Sequence, residues 1–331
     1  MIKPAILESR AIIAHHSKSF SLASALLHKN HRDEVAVVYA WCRRADDAID
    51  LAPQKDHWRV VNDLKAELRA IYAGEQFTDP ILAEFQSVVR KYNVPFDYPN
   101  ELLAGMEMDA DGWQYRTMDD LLLYSFRVAG TVGLMMCHVL GVTHPHALPR
   151  AAHLGIAMQI TNICRDILED WNRGRLYVPE TLLERHGAGG ISRGAGRPMT
   201  DGHALALGRC VRDLLEEADK YYASADEGLR YLSWRSALGV RTARMVYSSI
   251  GTQIARSRWD IQSGRAHVSK AGKLALATKA VSMSVLEFPI RTVHRFRPAT
   301  ITRVFSFPLD ILPVRACVAG SLAGMPLESI L

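Results

Sequence analysis

Apolar side chains recur at helical spacing along most of the 331-residue chain. Matches to the i, i+3, i+4, i+7 pattern are typical of helices that bury one face, whereas alternating β-branched runs bounded by turns are scarce. The pattern therefore predicts an all-α fold. Nine segments are expected to form helices: 6–27, 35–49, 58–72, 80–91, 118–140, 151–168, 203–229, 238–260 and 271–285.

The longest apolar stretch raises the question of a membrane span. Residues 128–149 contain no Asp, Glu, Lys or Arg, but they include three histidines, several glycines and two prolines. The strongly apolar part, 128–142, is shorter than the roughly 20 residues that a span needs. We therefore expect a buried core helix here.

Composition changes near residue 288. Residues 1–288 show neither an internal repeat nor a linker and are expected to form one domain, whereas residues 289–331 combine arginines with phenylalanines and prolines. Such a basic, aromatic tail either packs irregularly on the last helix or contacts anionic lipid. The residues that give it this character are Arg291, Arg295, Phe296, Arg297, Arg303, Phe305, Phe307 and Arg315.

The composition is that of an ordinary globular protein, with 48% hydrophobic and 23% charged residues and a net charge of +5. No basic stripe with interleaved aromatic residues accompanies the motifs described below, so we expect no nucleic-acid partner. The five cysteines are scattered singly, without a C-x-x-C pair, which argues against a disulfide framework or a structural zinc site. Together with an N-terminus that lacks a long apolar core, this predicts a protein of the reducing cytoplasm.

A glycine-rich stretch, residues 186–202, is expected to be a surface loop. It does not match G-x-G-x-x-G, and no strand precedes it, so a dinucleotide-binding site is disfavoured. No nicotinamide cofactor is therefore expected.

The first candidate site is the sequence Y-A-W-C-R-R-A-D-D-A-I-D, which begins at Tyr39. Polar residues at spacings of four, three and four share one helical face: Tyr39, Arg43, Asp46 and Asp50. Asp47 is rotated to the edge of this stripe. The stripe is either a solvated acidic face or, because small and apolar residues surround it, a carboxylate pair that faces the interior and needs a cation.

The second candidate site, Q-I-T-N-I-C-R-D-I-L-E-D, begins at Gln159. Asn162, Asp166 and Asp170 recur every four residues and span about 12 Å of helix. Like charges at this spacing weaken a helix, so the pattern indicates a use for concentrated negative charge. Oxygen ligands of this kind suit magnesium.

Positive charge accompanies both acidic segments. Arg173 and Arg175 follow the second segment closely, and arginine forks match phosphate oxygens. Because bound magnesium is often completed by substrate phosphates, the simplest ligand between the segments is a diphosphate, and the apolar helices would hold a hydrocarbon tail. This combination describes an isoprenoid diphosphate. A third stretch, H-S-K-S-F-S from His16, adds donors suited to phosphate, although alone it would be interpreted as a helix surface.

Four motifs in this order resemble the squalene/phytoene synthase family, and most of all its bacterial phytoene synthases. They are H-S-K-S-F-S, Y-A-W-C-R-R-A-D-D-A-I-D, Y-S-F-R-V-A-G-T-V-G from Tyr124, and Q-I-T-N-I-C-R-D-I-L-E-D followed by G-R-L-Y-V-P. The resemblance covers residues 16–269. It implies that residues 1–288 form an all-α, single-domain isoprenoid-synthase helical bundle around a central cavity.

The resemblance also implies roles for individual residues. Metal ligands would be Asp46, Asp50, Asn162, Asp166 and Asp170. Contacts with substrate or diphosphate would come from His16, Ser17, Lys18, Ser19, Tyr39, Arg43, Gln159, Asn162, Arg165 and Tyr247. The catalytic set would be Tyr39, Arg43, Asp46, Asp50, Arg165, Asp166, Asp170 and Tyr247. The implied cofactor is Mg²⁺, with Mn²⁺ as a substitute.

The activity that the resemblance implies is a prenyltransferase reaction of carotenoid biosynthesis. Two geranylgeranyl diphosphates would condense head to head to phytoene through a cyclopropyl (prephytoene) diphosphate, with release of both diphosphates. Two alternatives stay open: a squalene or dehydrosqualene synthase acting on farnesyl diphosphate, and a non-catalytic relative that only binds prenyl diphosphates. Partners would be these substrates, a downstream desaturase, and the inner face of the membrane through the C-terminal tail.

Overall fold

A computed structural model describes residues 3–142, 144 and 146–294, with the backbone alone for residues 287–294. This part of the chain is mainly helical and contains no strand, so the prediction of an all-α fold is confirmed. The helices are α1 (Pro4–His16), α2 (Lys18–Ala25), α3 (Lys29–Asp50), α4 (His57–Ala73), α5 (Pro80–Lys91), α6 (Asp97–Ala110), α7 (Met118–Ser125), α8 (Thr131–Val139), α9 (Ala147–Asn172), α10 (Glu180–Arg185), α11 (Asp201–Gly228), α12 (Trp234–Arg256) and α13 (Lys270–His294). The backbone of 289–294 continues α13, and the rest of the predicted tail lies outside the described residues.

The predicted helix 6–27 is interrupted at Ser17. This residue adopts an extended conformation with φ of −140°, and its side chain accepts a hydrogen bond from the Phe20 backbone N at 3.2 Å. Serine favours such an N-cap because its hydroxyl satisfies a donor that a new helix leaves unpaired. One long helix was therefore the wrong prediction, and α2 begins directly after α1.

Helix α6 is absent from the sequence-based predictions. Pro99 lies in its first turn, where proline is tolerated, and Gly105 lies in its interior, so its helical pattern is weak. A Cβ on Gly105 would lie 2.6 Å from Val128 Cγ1. The glycine therefore permits close packing of α6 against the segment that contains Val128.

Helix ends differ from the predictions by several residues in places. Helix α12 ends at Arg256 rather than at residue 260, since Arg258 and Trp259 adopt φ values of +56° and +63°, which an α-helix does not allow. The glycine-rich stretch 186–202 is mainly irregular, as predicted, and includes a short 3₁₀ turn, Ile191–Gly194.

The apolar segment 118–140 forms two helices joined by a π-helical turn. Helix α7 passes into the turn Phe126–Gly130, which continues as α8. By length and composition the stretch Met118–Val139 could cross a membrane, because it contains an 18-residue window with a mean hydropathy of 1.3. However, 56% of that window is buried inside the protein. The segment packs against α6 and α9, as expected of a core helix.

Glycines bring the π turn and α8 close to α9. A Cβ on Gly155 would lie 2.2 Å from the Ala129 carbonyl oxygen, and one on Gly133 would lie 2.3 Å from that of Ala151. Neither position has room for a side chain, so the two backbones touch directly. Gly133 also borders the central cavity.

A cavity of about 450 Å³ runs through the bundle. Its wall comes from α1, α2, α3, α6, α7, the π turn, α8, α9, the end of α11 and α12. Apolar residues of the segment 128–142 form part of this wall. The central cavity that the resemblance implies is therefore present.

Candidate active site

The polar stripe of α3 faces the cavity because the opposite face of this helix is buried in the core. Val38 is fully covered, and Trp41 stacks on Phe85 of α5 with ring centroids 4.3 Å apart. Helical geometry then turns the predicted stripe the other way. Three of its four residues border the cavity directly: Tyr39, Arg43 and Asp46.

Arg43 balances the negative charge of the first acidic segment. Its Nη1 lies 2.9 Å from Asp46 Oδ2, and its Nη2 contacts Asp47. Asp47, at the edge of the stripe in the sequence pattern, thus takes part in its electrostatics. The pKa of Asp46 is raised to about 6, mainly because the packed surroundings disfavour its charged form, with repulsion from neighbouring carboxylates adding and Arg43 opposing. A cation bound beside Asp46 would lower this pKa again, because it favours the charged carboxylate.

On α9, Gln159 and Asn162 border the cavity, whereas Asp166 and Asp170 lie beyond its lining. Asn162 Nδ2 donates toward Gln159 Oε1 at 3.4 Å. Asn162 Oδ1 is buried and has no hydrogen-bond partner in the part of the chain that the structure describes. A buried carbonyl oxygen without a donor is costly, and an oxygen-binding cation would satisfy it.

Asp166 is held by two arginines. Arg165 donates to it from Nε and Nη2 at 2.8 and 2.5 Å, and Arg265 does so at 2.7 and 3.1 Å. Burial acts to raise the pKa of Asp166, but these hydrogen bonds outweigh it and the pKa is lowered. Arg265, between α12 and α13, was missed by the sequence-based prediction because only tertiary structure brings it here.

Asp170 differs from Asp166 in its electrostatic surroundings. Burial, followed by repulsion from Asp166, raises the pKa of Asp170 to about 7, while Arg175 opposes the shift. A carboxyl group with such a pKa is partly protonated near neutral pH. It would gain its full charge when a cation binds beside it.

Arg175 connects the two acidic segments. Its Nη1 donates to Asp50 Oδ1 at 3.4 Å, and its positive charge also acts on Asp109. Arg173, which the sequence also places near the acids, instead pairs with Glu169 at 2.7 Å. Of these two arginines, Arg175 is therefore the one that links the ends of α3 and α9.

Asp109 on α6 is a half-buried carboxyl group that the motifs do not include. It borders the cavity and accepts hydrogen bonds from Tyr124 Oη at 2.9 Å and from Tyr177 Oη at 3.0 Å. Burial raises its pKa, and the two hydroxyl groups oppose the shift. No sequence motif includes Asp109 itself, although both of its tyrosine partners lie within the motifs.

The junction between α1 and α2 lies beside the part of the cavity that Arg43 and Tyr247 border, but it does not line the cavity itself. Four predicted substrate-binding residues belong to it: His16, Ser17, Lys18 and Ser19. The Ser17 side chain hydrogen-bonds to Tyr247, which does border the cavity. The pKa of His16 is lowered, first by burial and then by the charge of Arg43. The break at Ser17 thus brings the H-S-K-S stretch next to the arginine and tyrosine of the candidate site.

The donor set suits a divalent cation that is completed by other ligands. Among the described residues, no group of three or more His, Cys, Asp or Glu side chains is placed to hold a metal ion. The predicted ligands are instead divided between α3 and α9, and Asn162 Oδ1 is buried without a donor. Magnesium usually keeps several waters and takes one or two carboxylates plus substrate phosphates, which a divided set of oxygen donors fits.

The cavity changes character along its length. Its polar lining gathers at one end: Tyr39, Arg43, Asp46, Asp109, Gln159, Asn162 and Tyr247. Most of the remaining lining is apolar. An anion with a long hydrocarbon tail matches this division, because its charged group would meet arginines and acids while the tail would lie along dry walls.

Comparison with known proteins identifies relatives. The chain is 37% identical over 292 residues to the 15-cis-phytoene synthase of Pantoea ananas, covering 84% of this chain and 93% of the relative. It is 36% identical over 280 residues to the 15-cis-phytoene synthase of a Paracoccus species, covering 82% and 89%.

A solved structure and a family model agree with these relatives. The structure of a dehydrosqualene synthase has a TM-score of 0.75 and 28% identity, covering 84% of this chain and 96% of that chain. Residues 13–272 match the family model described as squalene/phytoene synthase. Since this match spans well over half of the sequence, the chain belongs to the squalene/phytoene synthase family.

Proposed function

We propose that this protein is a prenyltransferase that condenses two molecules of geranylgeranyl diphosphate head to head to phytoene, a step of carotenoid biosynthesis. The observation that carries the proposal is the cavity that joins acids and arginines at one end to apolar walls along the rest. The relatives from Pantoea ananas and Paracoccus, both named 15-cis-phytoene synthase, support this choice of product.

The polar end of the cavity would bind the diphosphate groups. Arg43 borders the cavity, and its Nε is buried without a partner among the described residues, so it has a donor available for a phosphate oxygen. Mg²⁺, or Mn²⁺ in its place, would be held by Asp46, Asp50, Asn162, Asp166 and Asp170. When bound, the cation would neutralise diphosphate charge and so improve the leaving group.

The first chemical step breaks the bond between the allylic carbon and the diphosphate oxygen of one substrate. The departing diphosphate keeps the electron pair and leaves an allylic cation. Arg43 and Arg175 place fixed positive charge near the acids where the diphosphate would sit. Preorganised charge of this kind stabilises a transition state in which negative charge develops.

The second substrate then supplies the electrons of its allylic double bond to this cation. A carbon–carbon bond forms, and loss of a proton closes the cyclopropane ring of prephytoene diphosphate. Departure of the second diphosphate, rearrangement and loss of another proton give phytoene, so the sequence needs no reductant. Val128, Val132 and Met136 belong to the apolar wall, which would keep water away from these cations.

The product of the purified full-length protein tests this proposal. With geranylgeranyl diphosphate and MgCl₂ but no nicotinamide cofactor, we expect phytoene and two diphosphates per phytoene, measured by liquid chromatography and a diphosphate assay. Chelation of the metal with EDTA should stop the reaction, and added MgCl₂ should restore it.

A synthase acting on farnesyl diphosphate is the second candidate, because the chain is similar in structure to a dehydrosqualene synthase. Dehydrosqualene formed faster than phytoene, or squalene formed only with a nicotinamide cofactor, would contradict the proposed substrate. Substrate binding without diphosphate release under any divalent metal would identify a non-catalytic relative.

We also infer that the protein works in the cytoplasm against the inner face of the membrane. Its proposed substrates and product are lipophilic, and α13 exposes apolar side chains, with Leu274 65% and Leu286 76% accessible. Lys270 and Lys279 on the same helix supply positive charge that suits anionic headgroups. A membrane-bound desaturase would be the natural consumer of phytoene at this surface.

Co-sedimentation with anionic lipid vesicles tests the membrane contact. Removal of the residues after Phe288 should lower the bound fraction several-fold, because the arginines and phenylalanines of the tail are lost with them. Leu286→Ser should also weaken binding, whereas Leu205→Ser, a control at a leucine that is 62% exposed on α11, should bind like the wild type. Equal sedimentation of the truncated and full-length proteins would refute a role for the tail.

A further inference from the structure

One charged side chain borders the cavity far from its acidic end. Within the described residues the lining contains four charged side chains, and three of them lie at the acidic end: Arg43, Asp46 and Asp109. The fourth is Arg150 on α9. It precedes Asn162 by 12 residues, which is about 18 Å along the helix axis. Arg150 therefore lies at the distal end of the cavity, where a hydrocarbon tail would finish.

Hydrogen bonds to α11 hold the head of Arg150. Its Nη1 donates to Ser224 Oγ at 2.5 Å, and its Nη2 lies 2.7 Å from Glu227 Oε2. Ser224 Oγ in turn lies 2.6 Å from Nδ1 of the buried His153. The side chain of Arg150 is 11% exposed and that of Glu227 40%, so this ion pair stands between the cavity and the protein surface.

The stem of Arg150 packs against a glycine. A Cβ on Gly228 would lie 2.6 Å from Arg150 Cβ, so the arginine occupies this position only because residue 228 has no side chain. Gly228 and Ala225 also border the cavity. Beside such small neighbours, the long aliphatic stem of the arginine fills space at the distal end, together with the lining residues Leu229 and Leu232.

We propose that Arg150 is the stop that sets the longest prenyl tail the cavity accepts, which rests on the proposed function. A charged group contributes nothing to binding a hydrocarbon, and a buried charge without a partner would be costly. The ion pair with Glu227 and the hydrogen bond to Ser224 offset that cost and hold the guanidinium in place. A tail one isoprene unit longer than geranylgeranyl would have to displace this paired arginine.

Binding of unreactive thiolo-diphosphate analogues tests the stop without requiring turnover. Calorimetry would give the Kd of the farnesyl, geranylgeranyl and geranylfarnesyl analogues for the wild type and for Arg150→Ala. In the variant, the ratio of the geranylfarnesyl Kd to the geranylgeranyl Kd should fall about tenfold, because the longer tail no longer overfills the cavity. A change of about tenfold is the typical cost of overfilling a rigid pocket. Ala225→Leu should have the opposite effect and weaken the geranylgeranyl analogue about tenfold relative to the farnesyl analogue.

Two variants separate tail length from loss of an ion pair. Arg150→Met keeps most of the stem but loses the ion pair, so its ratio should fall less than that of Arg150→Ala. Arg10→Ala removes another interhelical ion pair, in which Arg10 Nε donates to Asp33 Oδ1 at 2.6 Å. Neither residue lines the cavity, so this variant should leave the Kd ratio unchanged.

If a folded Arg150→Ala protein keeps the wild-type ratio of the geranylfarnesyl Kd to the geranylgeranyl Kd, this inference is overturned and the proposed function is not. Should that variant fail to fold by circular dichroism, an unchanged ratio of the geranylgeranyl to the farnesyl Kd in Ala225→Leu would overturn it equally. A wild-type protein that binds none of the analogues would overturn the proposed function and this inference together.

Discussion

Replacing Asp166 by alanine should lower kcat/KM by about 100- to 1,000-fold, the usual cost of losing one group that stabilises transition-state charge. Asp166 accepts four hydrogen bonds from Arg165 and Arg265. Without the carboxylate, both guanidinium groups would lose their common partner, and the proposed metal would lose a ligand. The assay is steady-state release of diphosphate from geranylgeranyl diphosphate with magnesium.

Asp46→Ala should cause a loss of similar size, because it removes the carboxyl group that faces the cavity beside Arg43. The matched control is Glu169→Ala, which removes one negative charge from α9 at an exposed pair with Arg173. An exposed pair of this kind contributes about 0–1 kcal/mol, so the control should keep near-wild-type activity. Helical content by circular dichroism should be unchanged in all three variants. Retained activity in either aspartate variant would refute the metal assignment.

Gly155→Ala should lower the free energy of unfolding by about 3 kcal/mol or more, since the added methyl group would overlap backbone atoms rather than a movable side chain. A Cβ there would lie 2.2 Å from the Ala129 carbonyl oxygen and 2.7 Å from Gly130 Cα. Relief would require α9 to move away from the π turn. Denaturant-induced unfolding followed by circular dichroism would measure the loss.

Gly202→Ala is the control for this substitution. Its Cβ would approach nothing closer than Thr200 Oγ1 at 3.9 Å, and alanine is favoured over glycine in a helix by up to about 1 kcal/mol. This variant should therefore be as stable as the wild type or slightly more stable. Equal stability of the two variants would show that the contact between α9 and the π turn is not rigid.

Several predicted site residues that border the cavity share one face of a single helix. Tyr39, Arg43 and Asp46 form a cavity-facing stripe because helical spacing and the apolar opposite face already determine the orientation of α3. Gln159 and Asn162 follow from the same reasoning on α9. Periodicity was enough here because one helix presents all the side chains concerned.

Residues that enter the site from elsewhere in the fold left no such signal. Arg265 reaches Asp166 across 99 positions, and Asp109 belongs to a helix whose proline and glycine weaken its pattern. The break at Ser17 was in principle readable, because serine is a favoured N-cap, but continuous amphipathic periodicity masked it. Pairing across long separations depends on packing that a single sequence does not display.

The π turn Phe126–Gly130 keeps one long wall of the cavity in phase. In an unbroken α-helix, residues at intervals of four advance by about 40° at each interval, so Met136 would point about 120° away from Tyr124. Yet four successive positions at this interval border the cavity: Tyr124, Val128, Val132 and Met136. The wider turn rotates less per residue and cancels part of the drift. A tyrosine hydroxyl at the acidic end and a methionine about three turns later can therefore face the same bound molecule.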